Sequence, residues 1–423
     1  MKPHRYPKHI VERGARVEKT LSMEGQSPTM PVMFIKHVQI TGHGRDCQGS
    51  FYYAAYDDGL EHICPHCHGK EHFIHGYYRR HVLLRANDGA VRRFKLRVRR
   101  LRCKCCNHTF SQDCRRSGLS KWSRRNQALD SAMSSDALAG INNKALALRY
   151  HCSASTVERV VHRCFDEEVY QRTHNPIPRV LGIDEHSIRK GGKYAVTLVD
   201  LEHHSVYEVI EGKSFDSLIP RIKRMKGLSE VKVVCMDLSS SFRSLANRLF
   251  PHAKVVADRF HVIKLILETF MEFCRNAEPD IRWKRGITKA LRMHEKNLSP
   301  GQKLLLSSLF KRNKAIETAY RFKENLCALL LHKSQTKKAC VPLLKEFTAM
   351  IDALLHDAPA VFNRLGQTLR EWFEPIIRMW RFTKSNGITE GFHRKMKLIQ
   401  RRAFSFRNFE NYRLRVIMEC GHR

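Results

Sequence analysis

The sequence predicts an α/β catalytic core, a mixed sheet with helices packed on it. A large all-helical insertion interrupts it, and a cysteine-bearing β module and a helix-turn-helix precede it. Three observations carry that expectation. Between residues 179 and 258, strand-like and helix-like runs follow in the order three strands, helix, strand, helix, strand, the order of a mixed sheet covered by helices. Apolar residues then recur at helical spacing through Leu304, Leu305, Leu309, Ile316, Leu326 and Leu329, and again from 343 to 355. Upstream, two Cys-x-x-Cys pairs stand among alternating segments.

Residues 1–30 are polar and carry Pro3, Pro7, Gly14, Gly25 and Pro28, which reads as a flexible arm. Residues 31–118 form the expected β module. Phe34-Ile35-Lys36-His37-Val38-Gln39-Ile40 alternates, and Phe51-Tyr52-Tyr53 is strand-like. Cys64, Cys67, Cys103 and Cys106 close two knuckles. Each knuckle presents two thiolates, and four complete a tetrahedral zinc shell with no position left for catalysis. Cys105 is an alternative ligand, and His66, His68 and His108 are nearby donors. Two unrelated cysteine pairs in a reduced protein are the blander reading. Between the knuckles, Phe94, Leu96 and Val98 alternate with Arg93, Lys95, Arg97 and Arg99, so a strand here has one apolar and one cationic face. The cationic face suits DNA phosphates; a charged, solvated edge strand is the alternative.

Residues 119–174 read as a helical DNA-binding domain. Residues 144–150 form a short helix, 151–154 a turn, and 156–169 a second helix opened by a Ser155–Glu158 capping box. Val157, Val160, Val161, Cys164 and Phe165 share one face, leaving Thr156, Arg159, His162 and Arg163 outside, where a recognition helix meets base edges. An ordinary helical hairpin fits the spacing equally well. Asn175-Pro176-Ile177-Pro178 is a linker.

In the core, residues 179–258, Val180-Leu181-Gly182-Ile183 ends in Asp184, and Val231 through Met236 ends in Asp237. Residues 259–384 are the helical insertion, and 385–423 supply a final helix and a basic tail. Glu390 opens that helix, with Arg394, Lys397, Arg401 and Arg402 following it. Strand-terminal aspartates are common singly. On parallel neighbouring strands they emerge at one sheet end, where Glu390 from a packed helix completes the group. Three crowded carboxylates need cations, and two magnesium or manganese ions suit phosphodiester chemistry. Asp258 and Glu185 are competing acids, and His261 reads most simply as a hydrogen-bonded core histidine.

Composition narrows the partners. The chain has 423 residues, 76 Lys and Arg against 41 Asp and Glu, and a formal charge of +35. It is long enough for roughly two to four domains. A field of that sign points to double-stranded DNA; a cationic membrane binder is disfavoured because no amphipathic or lipidation signal stands out. No apolar run approaches a membrane span, no secretory leader is read at residues 1–10, and the scattered cysteines suggest a reducing cytoplasm.

The paired knuckles, the helix-turn-helix, Gly182-Ile183-Asp184-Glu185, Asp237 after its strand, Asp258-Arg259-Phe260-His261, Ser385-Asn386-Gly387 with Glu390-Gly391, and the tail from Lys397 to Asn411 resemble the insertion-sequence transposases of the ISL-three family. The resemblance implies a ribonuclease-H-like core and a catalytic triad of Asp184, Asp237 and Glu390. It also implies magnesium-dependent cleavage of terminal inverted repeats with strand transfer into target DNA, in a bacterial, nucleoid-associated setting. Asp258 and His261 match a secondary signature without an assigned role. Pairing two DNA ends implies a homodimer or larger homo-oligomer. A zinc-dependent DNA-binding regulator and a structure-selective nuclease of the same fold are the competing functions.

Overall fold

The computed structural model describes residues 35–57, 59, 61–173, 175–189, 192–333, 336–382, 387–403 and 406–421. The expected arm at 1–30 lies outside them, as do Ser385 and Asn386. Two compact units divide the chain, Met1–Leu129 and Asp130–Arg423.

The first unit is a five-stranded sheet of β1 (Val38–Asp46), β2 (Gly49–Tyr56), β3 (His72–Arg85), β4 (Val91–Cys103) and β5 (Thr109–Ser111). Its order is β1-β2-β4-β3, with β5 on β4. Alternation sets the faces: Phe94, Leu96 and Val98 are buried with Ala54, Tyr56, Val82 and Leu84, and Cys114 and Leu119 pack on the same side. The β3–β4 hairpin turns through Gly89 at φ 80°, a left-handed conformation that a side chain would strain. Asp88 braces the turn by accepting from the Ala90 N–H at 2.9 Å.

The second unit begins with α1 (Gln127–Leu138), α2 (Asn143–Arg149) and α3 (Ala154–Thr173). The stripe of α3 is buried through Val157, Val160, Val161 and Phe165. The expected capping box does not form. The helix starts earlier, at Ala154, and Ser153 Oγ accepts from the Thr156 N–H at 3.2 Å. Glu158 instead accepts from the Asn411 amide at 2.7 Å.

Next come β6 (Val180–Arg189), β7 (Lys193–Asp200), β8 (Ser205–Glu211), α4 (Phe215–Lys223), β9 (Val233–Met236), α5 (Ser240–Leu249) and β10 (Lys254–Ala257). The sheet order is β10-β9-β6-β7-β8. The first three strands in sequence form an antiparallel meander, and β9 and β10 run parallel to β6. This mixed sheet fits a ribonuclease-H-like core. One face carries Leu181, Ile183, Val196, Leu198, Val234 and Met236 beneath α4 and α5.

The opposite face is covered by the helices that follow. These are α6 (Arg259–Ala277), α7 (Arg285–Arg292), α8 (Pro300–Arg312), α9 (Lys314–Leu331), α10 (Lys337–His356), α11 (Ala360–Glu371) and α12 (Phe373–Arg378). Val233 and Val256 join Ile266, Phe347, Leu365 and Trp380 in one core. Arg378 of α12 donates from Nη1 to the Val255 carbonyl of β10 at 3.1 Å. Two last helices, α13 (Gly387–Arg402) and α14 (Phe409–Cys420), pack Met396, Ile399, Tyr412 and Val416 on Ala195, Val206 and Val209. A buried ion pair ties α14 to β8: Arg413 grips Glu208 through Nε–Oε1 and Nη2–Oε2, each 2.6 Å.

Candidate active site and zinc centre

Register brings the two aspartates together. Ile183 pairs with Met236 in the parallel β6–β9 ladder, so Asp184 and Asp237 occupy the next step on neighbouring strands. Period-2 alternation places them on the face covered by α13, with Asp184 beside His186 and Asp237 beside Cys235. Glu185 falls on the other face, where Lys213 stands 4.0 Å away. Asp184 does not end its strand, as the sequence suggested. β6 continues to Arg189 because its antiparallel partner β7 extends the ladder beyond the end of β9.

His261 joins this pair. Ligand atoms of Asp184, Asp237 and His261 all lie within 4.8 Å of one another. His261 sits in the first turn of α6, whose N-cap is the buried Asp258. The Asp258 carboxylate accepts from the Phe260 N–H at 3.4 Å and lies 3.7 Å from His261 Nε2. The D-x-x-H turn thus carries His261 to the two aspartates, and Asp258 caps the helix that carries it.

Glu390 is not part of that group. It lies in the first turn of α13, and its carboxylate takes Arg394 Nη2 at 2.7 Å. The residue of α13 that faces the aspartates is His393, one turn on, with Nδ1 3.7 Å from Asp184 Oδ2. Behind it, Thr197 Oγ1 lies 3.4 Å from His393 Nε2 and 3.0 Å from His186 Nδ1, and His186 Nε2 lies 2.8 Å from the Tyr412 hydroxyl. Sequence reasoning missed this chain. The available signal was helical spacing, since His393 follows Glu390 by three positions and so shares its side of the helix.

Burial and crowding of charge dominate the electrostatics of the site. Burial pushes the Asp184 carboxyl up to about 8, and the nearby Asp237 and Asp258 carboxylates push the same way. Burial also raises Asp237, against the pull of His261. Asp237 Oδ1 is buried without a hydrogen-bond partner, an expensive state for a carboxylate oxygen. Two acids, an imidazole and an orphaned oxygen make a donor set that suits a divalent ion such as magnesium or manganese. Burial holds His393 down at about 4 and His186 at about 3, so both imidazoles are neutral near pH 7.

The cysteines form a second centre. Sγ atoms of Cys64 and Cys106 lie 3.6 Å apart, and those of Cys67 and Cys103 lie 3.5 Å apart. Thiolates around tetrahedral zinc sit about 3.8 Å from one another. The two knuckles repeat one hydrogen-bond pattern: Cys64 N donates to Gly69 O and His68 N to Cys64 O, while Cys103 N donates to His108 O and Asn107 N to Cys103 O. His68 and Asn107 both take positive φ, 58° and 62°. A Cβ at Gly69 would meet the Sγ atoms of Cys105 and Cys67 at 3.1 and 3.3 Å, so glycine keeps the cradle open. Backbone N–H groups of Cys106 and Cys105 draw the Cys103 thiol down to about 6. Cys105 is exposed and stands outside the four-sulfur group.

The cationic residues named from sequence fall in three places. On β4, Arg93 pairs with Asp46 and Arg99 with Asp57, the latter at 3.2 Å, while Lys95 and Arg97 lie over aromatic rings. On α3, Arg159 Nη2 reaches Thr156 Oγ1 at 3.4 Å, and Arg163 pairs with Asp130 at 2.7 Å. On α13, Lys397, Arg401 and Arg402 are exposed. No helix among the described residues is long and apolar enough to cross a membrane.

A protein-family model described as Transposase, of the DDE type and the ISL-three group, matches residues 181–416. The transposase for insertion sequence element IS1001 of Bordetella parapertussis is 23% identical over 246 residues, covering 56% of this chain and 59% of its own length. The chain therefore spans about three fifths of that curated relative.

Proposed function

The chain belongs to the ISL-three family of DDE transposases, whose model covers 181–416, and from that premise we propose that it binds the terminal inverted repeats of an insertion sequence and cleaves and transfers DNA strands. The observation that carries the chemistry is the adjacency of Asp184 and Asp237 on parallel strands, with Asp237 Oδ1 buried and unpartnered.

In this reading Asp184, Asp237 and His261 would hold a divalent ion, magnesium or manganese, and Glu390 is the third acid of the triad. Bound metal supplies charge neutralisation at the phosphate and activation of the attacking oxygen. The residues do the rest. The β6–β9 ladder fixes the two aspartates, α6 presents His261, and His393 packs against Asp184 and limits how its carboxylate can turn. Glu390, at the exposed start of α13 and paired there with Arg394, would be the acid that completes the hold on the cation. Arg394, Lys397, Arg401 and Arg402 then line the DNA path beside it. Thr156, Arg159 and Arg163 on α3 belong to a helix-turn-helix that reads the repeats. From the β module, Lys95 and Arg97 contact the DNA while Arg93 and Arg99 stay paired with Asp46 and Asp57, and its four cysteines hold a structural zinc. The helices between β10 and α13 form an insertion in the core. The active assembly is a homodimer or larger, since two ends must be joined.

The test is Asp237→Asn with labelled repeat-end DNA and magnesium. Cleavage is lost while specific binding persists. A variant that cuts as well as the wild type discards the site, and a wild type that binds without cutting leaves the regulator reading. Products joined to a second duplex, rather than nicked ones alone, separate transposase from nuclease.

A further inference from the structure

The outer face of the first unit's sheet carries more than cations. Opposite the packed face lie Phe51 and Tyr53 on β2, Arg93, Lys95, Arg97 and Arg99 on β4, and Tyr77, Arg79 and His81 on β3. The register places Tyr53 beside Lys95, His81 beside Lys95, and Arg79 beside Arg97. Lys95 Nζ sits 3.6 Å from the centre of the Phe51 ring, and the Arg97 guanidinium 3.7 Å from that of Tyr77. Tyr53 keeps 36% of its surface exposed and Tyr77 49%. Two of the cations are spoken for, Arg93 by Asp46 and Arg99 by Asp57. Arg79, Lys95 and Arg97 form no close ion pair among the described residues, though Lys95 lies near enough to Asp46 to help lower its carboxyl.

Geometry decides what this face fits. Four strands at about 4.8 Å spacing span roughly 14 Å before side chains are added. A B-DNA major groove is about 12 Å wide and admits one helix or a two-stranded ribbon. The sheet is too broad to enter the major groove of undistorted duplex, so there it meets mainly phosphates and its tyrosines find no open base. Unpaired strands differ. Their bases offer bare π-faces to aromatic rings, and their phosphates stay within reach of interleaved cations.

We propose that this sheet face binds unpaired DNA, with bases stacking on Tyr53, Tyr77 and the Arg97 guanidinium while Arg79 and Lys95 hold the backbone. The proposal rests on the reading of the chain as a DNA-acting transposase, whose cleaved ends supply frayed strands.

The test uses the full zinc-loaded chain and fluorescence anisotropy with three probes of equal length: a single-stranded oligonucleotide, an abasic strand and a duplex. The wild type binds the base-bearing strand more tightly than the abasic one by about tenfold or more, the worth of one stacked base or better. Tyr77→Ala and Tyr53→Ala each lose much of that preference and keep duplex affinity, and Tyr77→Phe keeps the preference. Equal wild-type affinity for the base-bearing and abasic strands overturns the stacking proposal, and needs no variant to fold. If duplex cleavage persists in that case, the transposase reading survives alone. A wild type that binds none of the probes overturns this proposal, and loss of binding to repeat-end duplex as well would remove the transposase reading.

Discussion

His393 Nδ1 stands 3.7 Å from Asp184 Oδ2, and the same ring's Nε2 stands 3.4 Å from Thr197 Oγ1. One imidazole therefore touches the acid on β6 and the hydroxyl on β7, with α13 as its anchor. His393→Ala frees the Asp184 side chain and leaves Thr197 with His186 and the Met396 sulfur. Cleavage of repeat-end DNA falls about 10- to 100-fold, the usual cost of losing an orienting partner beside a metal ligand. The melting temperature changes little. A single-turnover rate equal to the wild type's removes His393 from the site.

Metal uptake depends on pH through Asp184. Its carboxyl is raised to about 8, so between the ordinary carboxylate range and pH 8 the folded protein holds a proton that the unfolded chain has released. Stability of the metal-free protein therefore falls as pH rises through that window. A bound divalent ion displaces the proton, and its affinity climbs with pH until about 8, by up to about tenfold per unit. Calorimetry of magnesium or manganese binding in two buffers of different ionisation enthalpy reads the released proton. Binding enthalpies that do not depend on the buffer contradict the assignment.

Zinc stoichiometry checks the knuckles. One zinc per chain is released by thiol modification. Cys103→Ser lowers the content to well under half, and Cys105→Ser leaves it intact because that thiol lies outside the cluster. The first unit then loses its cooperative melting in the Cys103→Ser variant, as expected where metal binding drives folding.

The Glu208–Arg413 pair is structural. Arg413→Ala leaves the buried Glu208 carboxylate with only the more distant Arg221, 3.5 Å away, and the Val209 N–H, and destabilises the second unit by up to about 3–5 kcal/mol. The double replacement Glu208→Leu with Arg413→Met recovers most of that loss. Urea denaturation of the two variants and the wild type measures both effects. A double variant as unstable as the single one rules out desolvated charge as the cause.

Reading the sequence reached some of this and not the rest, for physical reasons. Two apolar runs each followed by an acid announce neighbouring aspartates, because a parallel ladder has one register that buries both runs, although β6 itself continues past Asp184 to Arg189. The knuckles are equally local, since each packs its ligands into four residues. Glu390 was harder. A helix position tells which side of the helix a residue occupies, not which partner its side chain takes, and Arg394 at i+4 competes with any site across the gap. Ser153, not Ser155, caps α3: both precede the apolar stripe, and only the backbone chooses between them. His186, Thr197, His393 and Tyr412 come from four elements, and no spacing in a linear chain announces such a meeting.

Arg378 spends one of its donors on the outer carbonyl of β10. That contact, with α12 lying along the strand, closes the sheet's margin to intruding chains. Copies of the protein that come together cannot do so by extending this sheet past β10, so a second chain has to join elsewhere, at the far margin beyond β8, at the first unit's sheet or on helical surfaces.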